Sequence, residues 1–270
     1  MTADHDDESG KNESAAGKEM ANRCEQCGEE LAAKYNFCPL CGKPIKKNNS
    51  VSYWVYQLNL LQAKGKIKKA IEAAKNLLQV DQQNPYIHSI LGELYYQAGA
   101  INESIASYRK AIETNPGQAK DHYNLGISYY RSGRISDAVS SFEKCLDLDS
   151  GFIGAYYWLG IAYYHQGSQQ KAIAAFTKLL EMNPDSVIAN YHLGINLNAI
   201  GQHEKAIPHF LKVIEASHED KAALYHLGMS YYNLRRINDA VETLRKSIEA
   251  NPDDKRSRDV LESIISVPEI

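Results

Sequence analysis

The chain has 270 residues, with 30 Lys and Arg against 33 Asp and Glu and a formal net charge of -3 at pH 7. That balance offers no global attraction for nucleic acid or an anionic membrane, and no apolar run approaches the roughly 20 residues that span a bilayer. The polar, acidic N-terminus lacks the apolar stretch of a signal peptide, so a cytoplasmic location with no membrane partner is expected.

In chain order, residues 1–22 carry Asp4, Asp6, Asp7, Glu8 and Glu13 among Gly, Ser, Asn and Lys. So little apolar surface cannot offset the entropy of ordering, and a disordered acidic tail is expected. Residues 23–45 hold four of the five cysteines as two pairs, Cys24-Glu-Gln-Cys27-Gly28 and Cys38-Pro-Leu-Cys41-Gly42. A disulfide scaffold would spread its cysteines to close long loops; this clustering reads as metal ligation. Two residues between cysteines let both sulfurs of a tight turn face one ion, and the following glycine permits the backbone such a turn needs. Four thiolates suit tetrahedral zinc and leave no position open for water activation, so the site is structural, with iron as the competing occupant. A segment this short rarely folds alone, and structural zinc supplies on the order of 10–16 kcal/mol in small finger peptides. Leu31, Tyr35, Phe37 and Ile45 are the expected small core. The paired knuckles resemble the short zinc-ribbon modules at the ends of many bacterial and archaeal proteins.

Zinc ribbons also suggest an alternative function, a nucleic-acid- or ribosome-associated regulator that contacts its target through the ribbon. Arg23, Lys34, Lys43, Lys46 and Lys47 are basic, but Glu25, Glu29 and Glu30 lie among them and the acidic tail would repel phosphates. No interleaving of aromatic and basic residues marks a base-stacking platform.

After a polar linker at 46–50, the chain repeats every 34 residues from Val51 to Asp254, in units 51–84, 85–118, 119–152, 153–186, 187–220 and 221–254. One glycine column runs Gly92, Gly126, Gly160, Gly194, Gly228, each preceded by leucine. A second runs Gly65, Gly99, Gly133, Gly167, Gly201 and ends in Arg235. Small residues follow at Ala70, Ser104, Ala138, Ala172, Ala206 and Ala240. Four residues on stand Ala74, Tyr108, Phe142, Phe176, Phe210 and Leu244. Leu125 and Tyr129 share one face of a first helix; Ile135, Ala138, Val139, Phe142 and Leu146 form the stripe of a second. Small residues opposite large ones let two such helices interlock, and one hairpin cannot bury both apolar faces alone, so neighbours must stack. Pro208 falls inside a second helix and is expected to bend it. Cys145 lies in a column of small or mid-sized residues, where a buried apolar filler is expected.

These columns, with Trp54, Leu91-Gly92, Tyr95, Ala111 and Pro116, resemble the tetratricopeptide repeat over residues 51–254. The first unit departs most, with Gln57-Leu58 in place of Leu-Gly. The resemblance implies an all-α fold: a right-handed superhelical solenoid of six helix hairpins, closed by a solvating helix in residues 255–270 with Val260, Leu261, Ile264 and Ile265 on one side.

The resemblance also implies a concave surface lined by first helices. It assigns to that surface Tyr123, Ile127 and Tyr130, then Tyr157, Trp158, Ile161 and Tyr164. Tyr191, His192 and Ile195 follow, and last Tyr225, His226, Met229 and Tyr232. Members of the family often carry asparagine where this chain has Ile127, Ile161, Ile195 and Met229, so a polar start (Asn59, Glu93) gives way to an apolar strip. Such a strip marks an interaction site for a protein or peptide segment, helical or extended, or for a second copy of the chain. His192 and His226 are expected as polar groove residues, and His88 and His122 as packed between helices. The family's clamp for chaperone C-termini is not expected: Asn59 and Asn124 match it, but Val55, Ile90, Gly154 and Trp158 occupy its other columns. No phosphate loop, nucleophile elbow or metalloprotease helix occurs, and a binding protein rather than an enzyme is expected.

Overall fold

The computed structural model describes residues 22–24, 27, 30, 31, 38, 40, 41, 51–217 and 220–266. The acidic tail up to residue 21, the 46–50 linker and the expected core residues Tyr35, Phe37 and Ile45 lie outside the described residues. Two compact units are present, one ending at Gln82 and the other beginning at Gln83.

The first unit contains a small antiparallel ladder, β1 (Asn22–Arg23) with β2 (Glu30–Leu31), in which Asn22 pairs with Leu31 and Arg23 with Glu30. Asn22 was assigned to the tail from the sequence. The ladder takes it through its pairing with Leu31. The same unit contains one helical hairpin, α1 (Val51–Ala63) and α2 (Ile67–Leu78). Here Leu58 on the first helix is 2% exposed and Ala74 on the second 0%.

The second unit is five hairpins and a final helix. The hairpins are α3 (Pro85–Gln97) with α4 (Ile101–Thr114), α5 (Ala119–Arg131) with α6 (Ile135–Leu148), and α7 (Ile153–His165) with α8 (Gln169–Met182). They continue with α9 (Val187–Ala199) and α10 (His203–Ala216), then α11 (Lys221–Asn233) and α12 (Ile237–Ala250). The chain ends in α13 (Lys255–Ile265). The second helix of each hairpin packs on the first helix of the next, and α12 packs on α13. This is a helical-repeat solenoid.

Both ends of the first helices have local causes. Asn84, Ser186, Asp220 and Asp254 accept a backbone N–H of the first turn of α3, α9, α11 and α13, which supplies partners for otherwise orphaned donors. At the other end Gly99 donates its N–H to Tyr96 O at 3.0 Å and Ala100 donates to Tyr95 O at 2.9 Å. Those two bonds define a stop that requires a left-handed residue, and Gly65, Gly99, Gly133, Gly167 and Gly201 all have φ between 63° and 78°. Arg235 makes the same turn at φ 61° with the same bonds, to Tyr232 and Tyr231.

Inside each hairpin the size relation is steric. A Cβ on Gly126 would lie 2.6 Å from the Phe142 ring, and one on Gly160 2.6 Å from Phe176. Phe142, Phe176 and Phe210 are 0% exposed, as are Ala138, Ala172 and Ala206. Cys145 is 0% exposed, and burial pushes its thiol up to about 11, which keeps it protonated and unreactive. α10 runs through Pro208 as one helix, with the proline on its exposed side, where the carbonyl that loses its donor can meet water. Of the apolar side expected on α13, Val260, Leu261 and Ile264 are partly covered, whereas Ile265 is 60% exposed.

Two substitutions test this account. Gly160→Ala should destabilise the chain by roughly 1–3 kcal/mol despite the better helix former, because the Phe176 ring has nowhere to go. Arg235→Gly should stabilise by up to about 1 kcal/mol by relieving the left-handed strain. Denaturant unfolding followed by circular dichroism reads both; a stabilising Gly160→Ala would refute the steric account.

Candidate functional site: an aromatic row and a cysteine cluster

Aromatic rings on the first helices of neighbouring hairpins meet across the junctions. Tyr130 of α5 lies 5.2 Å from Trp158 of α7, centroid to centroid. Tyr157 lies 6.0 Å from His192 of α9, and Tyr191 6.0 Å from His226 of α11. Cations close the row at both ends, Arg131 5.3 Å over Tyr96 and Arg256 of α13 4.9 Å over Tyr225. Edge-to-face and tilted contacts of this kind each add about 0.5–1.5 kcal/mol beyond the area they bury. The row both couples the hairpins and lines their common face.

Most residues assigned to the concave surface are therefore brought together, but not all in the expected role. Tyr123, Tyr130, Tyr157, Trp158, Tyr191, Tyr225 and Tyr232 are half-buried, as are Ile127, Ile195 and Met229, and Tyr164 is 40% exposed. Ile161 differs: it is 7% exposed and belongs to the core, with Trp158 one turn before it on the same helix face.

The two histidines also differ from the expected polar groove groups. The ring of His192 stacks on Phe176 at 5.3 Å and 11°, and that of His226 on Phe210 at 5.8 Å and 13°. Burial lowers the pKa of both, helped at His192 by His165 and at His226 by Arg256. They are flat neutral spacers between hairpins because the preceding second helix presents its phenylalanine to that position. His88 and His122 are buried, at 6% and 8% exposure.

Sequence reasoning missed one feature of the same face. Where α3 meets α5, a cleft of about 190 Å³ is lined by Tyr86, Ser89, Glu93, Lys120, Asp121 and Asn124, among others. Asp121 is 5% exposed, and the Ser89 hydroxyl donates to its Oδ2 at 2.8 Å. The signal was a broken column: the residues equivalent to Asp121 are Ile87, Ala155, Ala189 and Ala223, and those equivalent to Ser89 are Tyr123, Tyr157, Tyr191 and Tyr225.

In the first unit, the sulfurs of Cys24, Cys27, Cys38 and Cys41 all lie within 4.8 Å of one another. Cys24 Sγ is 3.5 Å from Cys41 Sγ and Cys27 Sγ 3.6 Å from Cys38 Sγ, and no disulfide joins them. A tetrahedron with metal–sulfur bonds of about 2.3 Å has edges near 3.8 Å. Four cysteines so arranged can bind one metal ion. Among the described residues no other group of three or more Cys, His, Asp or Glu has such an arrangement, and no helix is long and apolar enough to cross a membrane.

Models of the tetratricopeptide repeat match residues 123–187, 170–220 and 197–264, and one of the TPR repeat matches 92–133. The chain belongs to the tetratricopeptide-repeat family. Among solved structures it is similar to YrrB, a TPR protein with an unusual peptide-binding site, at 22% identity and a TM-score of 0.67, over 71% of this chain and 98% of that one. It is similar to MamA at 25% identity and a TM-score of 0.60, over 69% and 97%. The C-terminal part of a TPR repeat-containing protein from Cytophaga hutchinsonii gives 20% identity and a TM-score of 0.67, over 80% and 89%. At such identities the likeness is one of fold. No curated protein matches the sequence.

The stacked histidines carry a pH prediction. Above the ordinary histidine value of 6.5 both native and unfolded chains hold these rings neutral, and nothing is lost. Below it the unfolded chain takes up protons that His192, His226 and His209, also lowered by burial, refuse in the native state, so stability falls as pH drops. The denaturant midpoint should therefore decrease from pH 7.5 to 5.5, and the His192→Phe, His226→Phe double variant should lose part of that decrease. An equal decrease in the double variant would place the proton uptake elsewhere.

Proposed function

We propose that this tetratricopeptide-repeat chain is a protein-interaction scaffold that holds a segment of a partner protein along the first-helix face of its second unit. The aromatic row carries the reading. Tyrosine and tryptophan recur from α5 to α11 on one face, and their rings are only half-covered by one another. Contiguous apolar surface of that kind is kept by soluble proteins at interaction sites. Rigid aromatic side chains give contact area at little cost in conformational entropy, which is why they dominate binding hot spots. A peptide-binding site on the similar protein YrrB is in keeping with this use of the fold.

Within the row, Trp158 and Tyr164 are the anchors with most to offer a partner, one half-buried at the middle hairpin and the other 40% exposed. Peptides selected from a random dodecapeptide library on the full chain provide the probe. The double variant Trp158→Ala, Tyr164→Ala should weaken their binding by about tenfold or more, since hot-spot truncations cost 2 kcal/mol or more. Unchanged binding, measured by fluorescence polarisation, would move the site off this face.

We infer that the cysteine cluster holds a structural zinc ion. All four sulfurs lie within 4.8 Å of one another, close enough to share one ion, and four protein ligands would leave no position for a reacting water. Bound there, zinc would supply folding energy to a short segment. Native mass spectrometry of the full chain should find one zinc ion, and Cys38→Ser should abolish its retention. A chain that instead isolates with iron and absorbs visible light would overturn the assignment of the metal.

A further inference from the structure

We infer that the cleft between α3 and α5 is a socket for one basic side chain, lysine or arginine, of the partner segment; this rests on the peptide-binding reading above. The packing of the repeats does not need the carboxylate of Asp121. Ala155, Ala189 and Ala223 fill the Asp121 position of later hairpins at 0% exposure, so a small apolar residue satisfies the packing there. A carboxylate at that place is costly, because burial withdraws the water that would solvate its charge. The Asp121 pKa is raised by that burial, against the opposing pull of Ser89, His122 and Lys120.

The cost is only partly met from within the chain. Ser89 donates to Oδ2; Oδ1 accepts from no described residue and, because Asn196 Oδ1 is the one buried side-chain atom without a partner among the described residues, it opens onto the solvent of the cleft. Lys120 stands exposed at the rim and forms no ion pair with Asp121. A second change opens the space itself. In the next hairpin, Tyr123 extends to the position of Gly154, where an added Cβ would lie 3.1 Å from its hydroxyl. Ser89, in the same column as Tyr123, is too short to fill the equivalent volume, and the cleft remains.

The rim adds a second negative charge. Glu93 is exposed on α3 at the column where later hairpins carry Ile161, Ile195 and Met229. The Asn124 side chain supplies a neutral polar edge. At about 190 Å³ the cleft is smaller than the 300–1,000 Å³ of small-molecule sites, and suits the end of one long side chain. A cation reaching Oδ1 would displace solvent from the cleft and make a charge-assisted hydrogen bond, the stronger kind. The first-helix face thus sorts its ligand by two chemistries, a charge at α3 and α5 and apolar contact from α5 onward.

Random dodecapeptide selection on the full chain, on Asp121→Asn and on Glu93→Gln tests this. Peptides selected by the unaltered chain should share a lysine or arginine at a fixed distance from an aromatic or aliphatic residue. Asp121→Asn keeps an acceptor for Ser89 and should keep the apolar preference while losing the basic one. Replacing the basic residue of a selected peptide by norleucine should cost about ten- to hundredfold in affinity on the unaltered chain, the worth of a hydrogen bond to a charged group. On Asp121→Asn the same replacement should cost less than threefold. Should Asp121→Asn fail to fold, as judged by circular dichroism, Glu93→Gln decides: the norleucine penalty must shrink there too. Selected peptides with no basic position, or a penalty unchanged in the variants, would overturn the socket and leave the aromatic row standing. Failure to select any peptide would overturn the binding reading itself.

Discussion

The approach of a glycine to a buried ring is the contact on which the second unit depends. At Gly126 and Phe142, and again at Gly160 and Phe176, there is no room for a single carbon between the first and second helix. That closeness sets the hairpin, and the hairpin sets which side of each first helix is left to face its neighbours. The α1–α2 hairpin reverses the relation, with Leu58 on the first helix and Ala74 on the second, both buried. The constraint is complementarity of size, and it can be met from either side.

Stacking hairpins on that contact has a consequence for the binding face. The phenylalanine that fills the glycine gap also reaches the next hairpin, where it stacks on His192 or His226. Part of the aromatic surface is thus consumed in joining repeats. What remains for the proposed partner is the outer half of the tyrosines and of Trp158, so recognition there would draw on the same rings as stability. A repeat array stabilised by nearest-neighbour contacts behaves this way in general: changes on the face are felt at the junctions.

The chain combines two solutions to folding. The repeats bury apolar surface against one another along the chain, whereas a segment as short as the cysteine module lacks the surface to do so, and the metal proposed for its four cysteines would supply the difference. The cleft at α3 and α5 belongs to the first kind but breaks its pattern twice, at Ser89 and Asp121. Departures from an otherwise consistent local pattern are where function is expected to reside.

The repeat interval, the hairpin stops and the small-against-large columns were legible in the sequence, because each is a local requirement repeated at fixed spacing. Glycine at a left-handed turn leaves a mark that needs no knowledge of what lies across from it, and even Arg235 betrayed its conformation by falling in the glycine column. Two cysteine pairs likewise announce, through spacing alone, the four-sulfur cluster that could bind one ion. What the sequence left open depends on neighbours one hairpin away. Only the stacked structure makes His192 and His226 ring spacers rather than groove ligands, buries Ile161, and sets the Asp121 carboxylate against Ser89. The stacked rings join residues 16 positions apart and Ser89 and Asp121 stand 32 apart, and a column of residue types records the period of a stack without recording which atoms meet across it.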